Sequence, residues 1–284
     1  MRLFHITMFH KRRFMTMNKV HFWKYDGAGN DFILLDLRNQ ELQLTVSQIA
    51  QMCHRRFGIG ADGLMTLSNT SVVDNDGRSY DFEMKYYNSD GRLGSMCGNG
   101  GRCITAFAYN LGMFDKNTRF LGYDGPHEAE ILVWDASQNV GIVQLGMKNV
   151  LCGDIRRCLD GWFLDTGSPH YVQRVQNLES FDVYGEGKRL RHDAEFPEGT
   201  NVDFIEDLPD GRLMVRTYER GVEDETWACG TGVTACAIVS GNRNLVTKGG
   251  DFKVSFEATE TGYSHVKLTG PVAFNFEGDY GFIQ

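Results

Sequence analysis

From Lys19 onward the apolar residues fall into short runs with strand character. Val20 to Tyr25 and Phe32 to Leu37 flank a glycine turn at Asp26 to Asn30, and Leu64 to Leu67 is a third run. Tyr80 to Tyr87 alternates strictly, with Phe82, Met84 and Tyr86 on one face and Asp81, Glu83 and Lys85 on the other. Thr45 to Arg55 has helical spacing, a cap at Thr45 or Ser47, and Val46, Ile49, Ala50 and Cys53 as its expected buried face. Further on, Glu128 to Leu145 reads as a hairpin turning at Ala136 to Asn139. Trp162 to Asp165 and Tyr171 to Val175 flank Gly167-Ser168-Pro169-His170, and Leu213 to Tyr218 follows the turn Pro209-Asp210-Gly211. Phe252 to Ala258 and His265 to Thr269 turn at Glu260-Thr261-Gly262, and Val272 to Ile283 is a last strand-like segment with glycine breaks.

Two stretches depart from this strand pattern. Met96-Cys97-Gly98-Asn99-Gly100-Gly101-Arg102-Cys103 leads into a helix with Ile104, Phe107, Ala108 and Leu111 on one face, ending near Gly112. Ala228-Cys229-Gly230-Thr231-Gly232-Val233-Thr234-Ala235 leads into another, with Val233, Cys236, Ala237 and Ser240 together, ending near Gly241. Each stretch sets a thiol at a helix entrance, where free N–H groups and the helix dipole favour a thiolate and can also hold a carboxylate.

The surroundings of the two cysteines repeat as well. Tyr87-Asn88-Ser89-Asp90-Gly91 precedes the first and Tyr218-Glu219-Arg220-Gly221 the second, while Gly27-Ala28-Gly29-Asn30-Asp31-Phe32 echoes in Thr166-Gly167-Ser168-Pro169-His170-Tyr171. The echoes keep their order at an offset of about half the chain, which is a degenerate internal duplication contributing one thiol per half. Many strands and two central helices predict a mixed α/β fold, each half wrapping strands around its own helix.

Composition narrows the function classes. A chain of 284 residues, 42% hydrophobic, suits two domains of ordinary size. A net charge of −8 without a long basic block argues against nucleic acid as a partner, and no apolar stretch is long enough for a membrane span. Seven cysteines with no Cys-x-x-Cys pair and no secretory signal point to a reducing, cytoplasmic compartment. Residues 1–17 hold Arg2, Lys11, Arg12 and Arg13 but no acid, with Met8, Met15 and Met17 as later starts; they read as an extension outside the folded chain, disordered or not translated.

Two thiols facing one cleft suit inversion of a carbon acid, one taking a proton from one face while the other returns one opposite. The carbanion formed would push charge into its own carboxylate, which the backbone N–H groups of Gly98, Asn99, Gly100, Gly230, Thr231 and Gly232 can receive. Such chemistry calls for no cofactor and no metal. Two thiols so placed would also oxidise to a Cys97–Cys229 disulfide in air, reversibly with dithiothreitol.

The glycine turn at residues 27–32, Phe57-Gly58-Ile59-Gly60-Ala61-Asp62-Gly63, Asn88-Ser89-Asp90-Gly91 and the two cysteine stretches together resemble the diaminopimelate epimerase family, from about residue 19 to the end. That resemblance implies two pseudo-symmetric domains, each a mixed β-barrel around a central helix: 18–147 completed by a return strand at 272–284, and 148–271. It implies cofactor-independent interconversion of LL- and meso-diaminopimelate in lysine and peptidoglycan-precursor biosynthesis, by a homodimer. Cys229 would accept the proton from the LL isomer and Cys97 donate one. Asn30, Asn88, Asn201 and Arg220 would bind substrate, Gly98-Asn99 and Gly230-Thr231 would hold the reacting carboxylate, and His170 and Glu219 would tune the thiols and orient the amino group. Two positions depart from the family pattern: Gly63 stands where many members have glutamine and Ser168 where they have asparagine, so Ser168 would keep a weaker contact and Gly63 none.

Blander readings accompany these. Cys53, Cys103, Cys152, Cys158 and Cys236 fit core or surface positions, Arg102 a structural role, and Asn88 a turn. Two other functions compete: a proline or hydroxyproline racemase, against which Arg220, Asn88 and Asn201 argue by supplying groups for a second charged substrate end, and a thiol-based metal-binding or redox protein, whose usual ligand spacing the cysteines lack.

Overall fold

The computed structural model describes residues 19–94 and 97–282; the extension at 1–17 lies outside the described residues. Four α-helices occur among them: α1 (Val46–Cys53), α2 (Gly98–Asn110), α3 (Val183–Arg191) and α4 (Gly230–Ser240). None is long and apolar enough to cross a membrane.

The first half begins with the antiparallel hairpin Lys19–Gly27 and Asn30–Asp36, turning on Ala28 and Gly29, whose φ values of 61° and 84° are the left-handed pair a two-residue hairpin needs. The chain crosses through α1 to Gly63–Ser68, parallel to the hairpin's second strand, and returns antiparallel as Phe82–Asn88. It then crosses through α2 to Asn117–Gly122, parallel again, followed by Gly125–Asp135 and Val140–Gly146. The second half repeats this order. Gly161–Asp165 and Pro169–Arg174 form the hairpin, α3 leads to Asn201–Asp207, Leu213–Glu219 returns, and α4 leads to Asn244–Thr247 and Gly250–Ala258. The fold is mixed α/β, two duplicated halves with a strand barrel around a helix in each.

Strands buried on both faces explain the continuous apolar runs. In Phe32–Leu35, Phe32 and Leu34 turn inward to the cluster around α2, while Ile33 and Leu35 turn outward to the cluster under α1. The second half matches: Val172 faces the cluster around α4 and Tyr171 the cluster under α3. Both central helices are therefore buried all round and lack the one-sided faces that their spacing predicts; every residue from Gly98 to Ala108 is buried.

The outer helix α1 keeps its Thr45 cap, with the reciprocal Gln48 contact of a capping box, but Val46 is exposed and Met52 takes its expected place in the core. Helix α3, capped by Asp182, is absent from the sequence reading because Gly185 and Gly187 interrupt its pattern; the short strand Asn117–Gly122 is absent too. The predicted strands His265–Thr269 and Val272–Ile283 are one continuous strand, Gly262–Gly281. It pairs in turn with Gly250–Ala258, with Val140–Gly146 and with Lys19–Gly27, so it stitches the two halves together.

Candidate active site

The two central helices meet head to head. A Cβ built on Gly98 would lie 3.3 Å from the Gly230 Cα, and one on Gly230 would lie 3.2 Å from the Gly98 Cα. Glycine at both positions permits this approach, at a cost of roughly 0.5–1 kcal/mol each relative to alanine in a helix. Asn99 Nδ2 donates to the Ala228 carbonyl at 2.7 Å, tying the start of α2 to the residue before Cys229. Behind it Arg102, fully buried, donates to Asn99 Oδ1 at 2.9 Å, Gly98 O at 3.1 Å and Pro271 O at 3.2 Å, and lies over the Phe252 ring. Burial pulls its guanidinium down to about 10. Arg102 is thus the brace of the helix junction.

Cys97 and Cys229 are the N-caps of α2 and α4, so the junction brings both thiols to one place. Cys97 Sγ accepts the Gly100 N–H at 3.2 Å and faces Asn30 Oδ1 at 3.8 Å. Asn30 is held in that orientation because its Nδ2 donates to Asp62 at 2.7 Å, and Arg55 bridges Asp62 to Asp31. Cys229 Sγ lies 3.3 Å from Thr231 Oγ1, which lies 2.8 Å from His170 Nε2; His170 Nδ1 meets Asp203 Oδ2 at 2.7 Å. Asp203 also accepts the Thr217 hydroxyl at 2.7 Å. The sequence reading missed Asp203; its signal was an acid at an inward position of an otherwise apolar strand.

Burial pushes the Cys97 thiol up to about 11, with Glu219 adding to the rise and the Gly100 N–H opposing it. Cys229 is held well above its ordinary value by burial, then by Glu219 and Asp203. This corrects the expectation of a dipole-stabilised thiolate: desolvation outweighs the helix dipole, and both thiols are protonated at neutral pH. Glu219, whose charge acts on both thiols, is itself raised by burial.

The remaining predicted residues divide. Asn201 is committed internally, donating to Ser168 Oγ at 3.2 Å and Pro169 O at 2.9 Å and accepting the Arg220 N–H at 2.8 Å. Ser168 Oγ sits 3.0 Å from His170 Nε2 and 3.1 Å from Thr231 Oγ1, inside the Cys229 cluster. Arg220 donates weakly to Glu198 O, and no carboxylate among the described residues pairs with it. Asn88 ends the strand beside Gly63, exposed. At Gly63 a Cβ would meet the Tyr86 ring at 2.5 Å and the Tyr87 carbonyl at 2.6 Å, so a side chain is excluded and the Tyr86 ring fills the space. A crevice of about 1040 Å³ reaches the helix junction through Gly98, Gly167 and Thr231, but neither cysteine lines it.

Comparison with known proteins agrees with this architecture. The sequence model described as diaminopimelate epimerase matches residues 22–148 and 162–272. A diaminopimelate epimerase of Flavobacterium psychrophilum is 43% identical over 266 residues, covering 90% of this chain and 98% of that one. One of Chlorobaculum tepidum is 44% identical over 224 residues, covering 78% and 83%. Among solved structures, a phenazine biosynthesis protein of Bacillus anthracis superposes with a TM-score of 0.67 at 12% identity, covering 94% of this chain and 100% of that one. A hydroxyproline epimerase of Agrobacterium vitis gives 0.62 at 13%, covering 93% of each. At such identities these structures speak for the fold alone. The sequence match spans both halves and both cysteine helices, and the chain belongs to the diaminopimelate epimerase family.

Proposed function

We propose that this protein inverts one α-carbon of 2,6-diaminopimelate, interconverting the LL and meso isomers by two-base chemistry in lysine and peptidoglycan-precursor biosynthesis. The observation that carries the reading is the head-to-head junction of α2 and α4, which sets two cysteines beside two sets of helix N-terminal N–H groups. Those N–H groups have no intrahelical partners and suit the carboxylate of the reacting carbon, where the negative charge develops. Cys229 takes the α-proton of the LL isomer and Cys97 returns one from the opposite face; the roles exchange in reverse. Cys97, its sulfur 3.8 Å from Asn30 Oδ1, is suited to the donor role because that oxygen can accept its S–H.

Glu219, whose charge reaches both sulfurs, suits the substrate's ammonium group. Neutralising that pair of charges on binding lowers the barrier to thiol ionisation. Arg220, which donates weakly to Glu198 O and pairs with no carboxylate among the described residues, suits the distal carboxylate, and Asn88 is assigned to substrate binding with it. Asn201 acts by fixing Ser168 and the Arg220 backbone. Family membership supports a cytoplasmic homodimer.

The test is α-carbon exchange. Reduced protein with LL-diaminopimelate in D2O should yield deuterated meso isomer, and both Cys97→Ala and Cys229→Ala should stop net inversion. Exchange with proline or hydroxyproline in place of diaminopimelate would move the protein to the racemase reading.

A further inference from the structure

Cys229 ends a hydrogen-bonded chain built on an imidazole, whereas the chain at Cys97 runs through the Asn30 amide to Asp62 and holds no proton-accepting ring. The imidazole of His170 and the carboxylate of Asp203 are both fully buried, 2.7 Å apart. Asp203 is acceptor-only when ionised, so Nδ1 carries the hydrogen and the neutral ring presents Nε2 as an acceptor. Thr231 Oγ1, 2.8 Å from Nε2, then donates to it and turns a lone pair to Cys229 Sγ at 3.3 Å. Ser168 Oγ, 3.0 Å from Nε2 and 3.1 Å from Thr231 Oγ1, turns its hydrogen to Thr231 in this arrangement, and the polarity runs from sulfur to imidazole. Thr217, donating to the other Asp203 oxygen, keeps the carboxylate from rotating away.

We propose that Thr231 and Asp203 complete a proton relay serving Cys229: the hydroxyl of Thr231 carries the thiol's proton to His170, and Asp203 is the positioning residue that holds the ring to receive it. In the step, the Cys229 S–H bond breaks as a new O–H bond forms on Thr231. The original Thr231 O–H bond breaks as an N–H bond forms on His170 Nε2. The products are a thiolate and an imidazolium, the latter paired with Asp203, and no proton leaves the cluster. The relay gives the buried thiol a way to ionise without water. The proposal rests on the reading of Cys229 as one of the two bases.

Other titratable groups surround the ring. Glu219 closes the neighbouring strand, Asp165 ends the strand paired with that of His170, and Cys236 lies one and a half turns into α4 near Asp203. Glu219 and Asp203 oppose a thiolate at Cys229. For that reason the charge of Asp203 alone would hold Cys229 protonated, and only transmission through His170 reverses its effect.

That opposition makes the test decisive. In a Cys97→Ala background, alkylation of Cys229 by iodoacetamide is followed from pH 6 to 9 by peptide mass spectrometry, a readout needing no substrate and so independent of diaminopimelate turnover. Thr231→Val, which keeps the backbone N–H, should slow alkylation about tenfold or more, and Thr231→Ser should restore it. Asp203→Asn should slow it as well. If Asp203 acts only through its field on the sulfur, Asp203→Asn will speed alkylation, and the relay is overturned. Alkylation unchanged in Thr231→Val, or a slow Thr231→Val not rescued by serine, overturns it equally. The valine and serine pair keeps the question open to refutation should Asp203→Asn fail to fold.

Discussion

The two halves share one topology and differ in what it carries to the thiol. Phe32 pairs with Gly63 in the first half at the register position where His170 pairs with Asn201 in the second. Met65 opposite Tyr86 corresponds to Asp203 opposite Thr217. The helix glycines agree: a Cβ on Gly100 would meet Met65 Sδ at 3.2 Å, and one on Gly232 would meet Asp203 Oδ1 at 2.3 Å. Around Cys97 these inward positions are apolar, and the thiol has a backbone N–H and an amide oxygen for company. Around Cys229 they are an acid, an imidazole and hydroxyls. Duplication preserved the frame that presents a thiol, and substitution at a few inward positions made the two thiols chemically distinct.

The largest effect should come from erasing that distinction. His170→Phe with Asp203→Met gives the second half the first half's side chains, removing both members of a buried hydrogen-bonded pair together and leaving no orphaned carboxylate. Epimerisation should fall by about 10²–10³-fold, within the range for loss of general acid–base assistance, while the fold persists. Circular dichroism and turnover on the same sample check both parts; full activity would mean that the polar cluster is structural.

Next comes the brace between the halves. Arg102→Lys keeps the charge but replaces a planar fork reaching three carbonyl-type oxygens with a point donor that is harder to desolvate. Both changes destabilise, by about 3 kcal/mol together. Urea unfolding measures the loss, and an unchanged midpoint would show that the junction stands without the guanidinium.

How much of this was legible beforehand follows from the same comparison. The paired cysteine helices, the duplication and most strands could be read because glycine turns and apolar runs are local signals. Helix α3 could not, since Gly185 and Gly187 suit it only through packing: a Cβ on Gly187 would strike Tyr218 at 2.4 Å. Gly63 looked like a lost substrate contact, yet its lack of a side chain makes room for Tyr86 across the strand pair. The one-sided helix faces failed because a helix inside a barrel has no solvent side. Asp203 stayed hidden because its partners lie 33 and 14 residues away in sequence. The sign of the thiol shifts was misread because the dipole is local and desolvation is not.

A smaller effect separates the helix glycines. Gly232→Ala forces a methyl against a carboxylate pinned by His170 and Thr217, so about 2 kcal/mol of stability should be lost even after the gain in helix propensity. Gly100→Ala meets the flexible end of Met65 at 3.2 Å and the Cys97 sulfur at an ordinary 3.6 Å, and that strain and the propensity gain should cancel to within about 1 kcal/mol. Thermal unfolding of the two variants side by side tests the pair, and equal losses would contradict the difference in packing.

The smallest effect is in the alkaline limb of stability. A thiol whose folded value is raised binds its proton more tightly in the folded chain, so its contribution is fully present below the unfolded value and is lost as pH climbs through the folded one. For Cys97 that window runs from 9 to about 11. For Cys229 it opens at the same pH, because burial, then Glu219 and Asp203, hold its folded value well above the ordinary one. Serine does not titrate there, so Cys97→Ser should flatten the decline between pH 8 and pH 10 by under about 1 kcal/mol, its thiol being partly exposed, and Cys229→Ser should flatten it more. Urea midpoints under dithiothreitol at the two pH values measure both. A decline as steep in Cys229→Ser as in the unaltered chain would mean that this thiol ionises no harder in the fold than out of it, and the distinction between the halves would then rest on geometry alone.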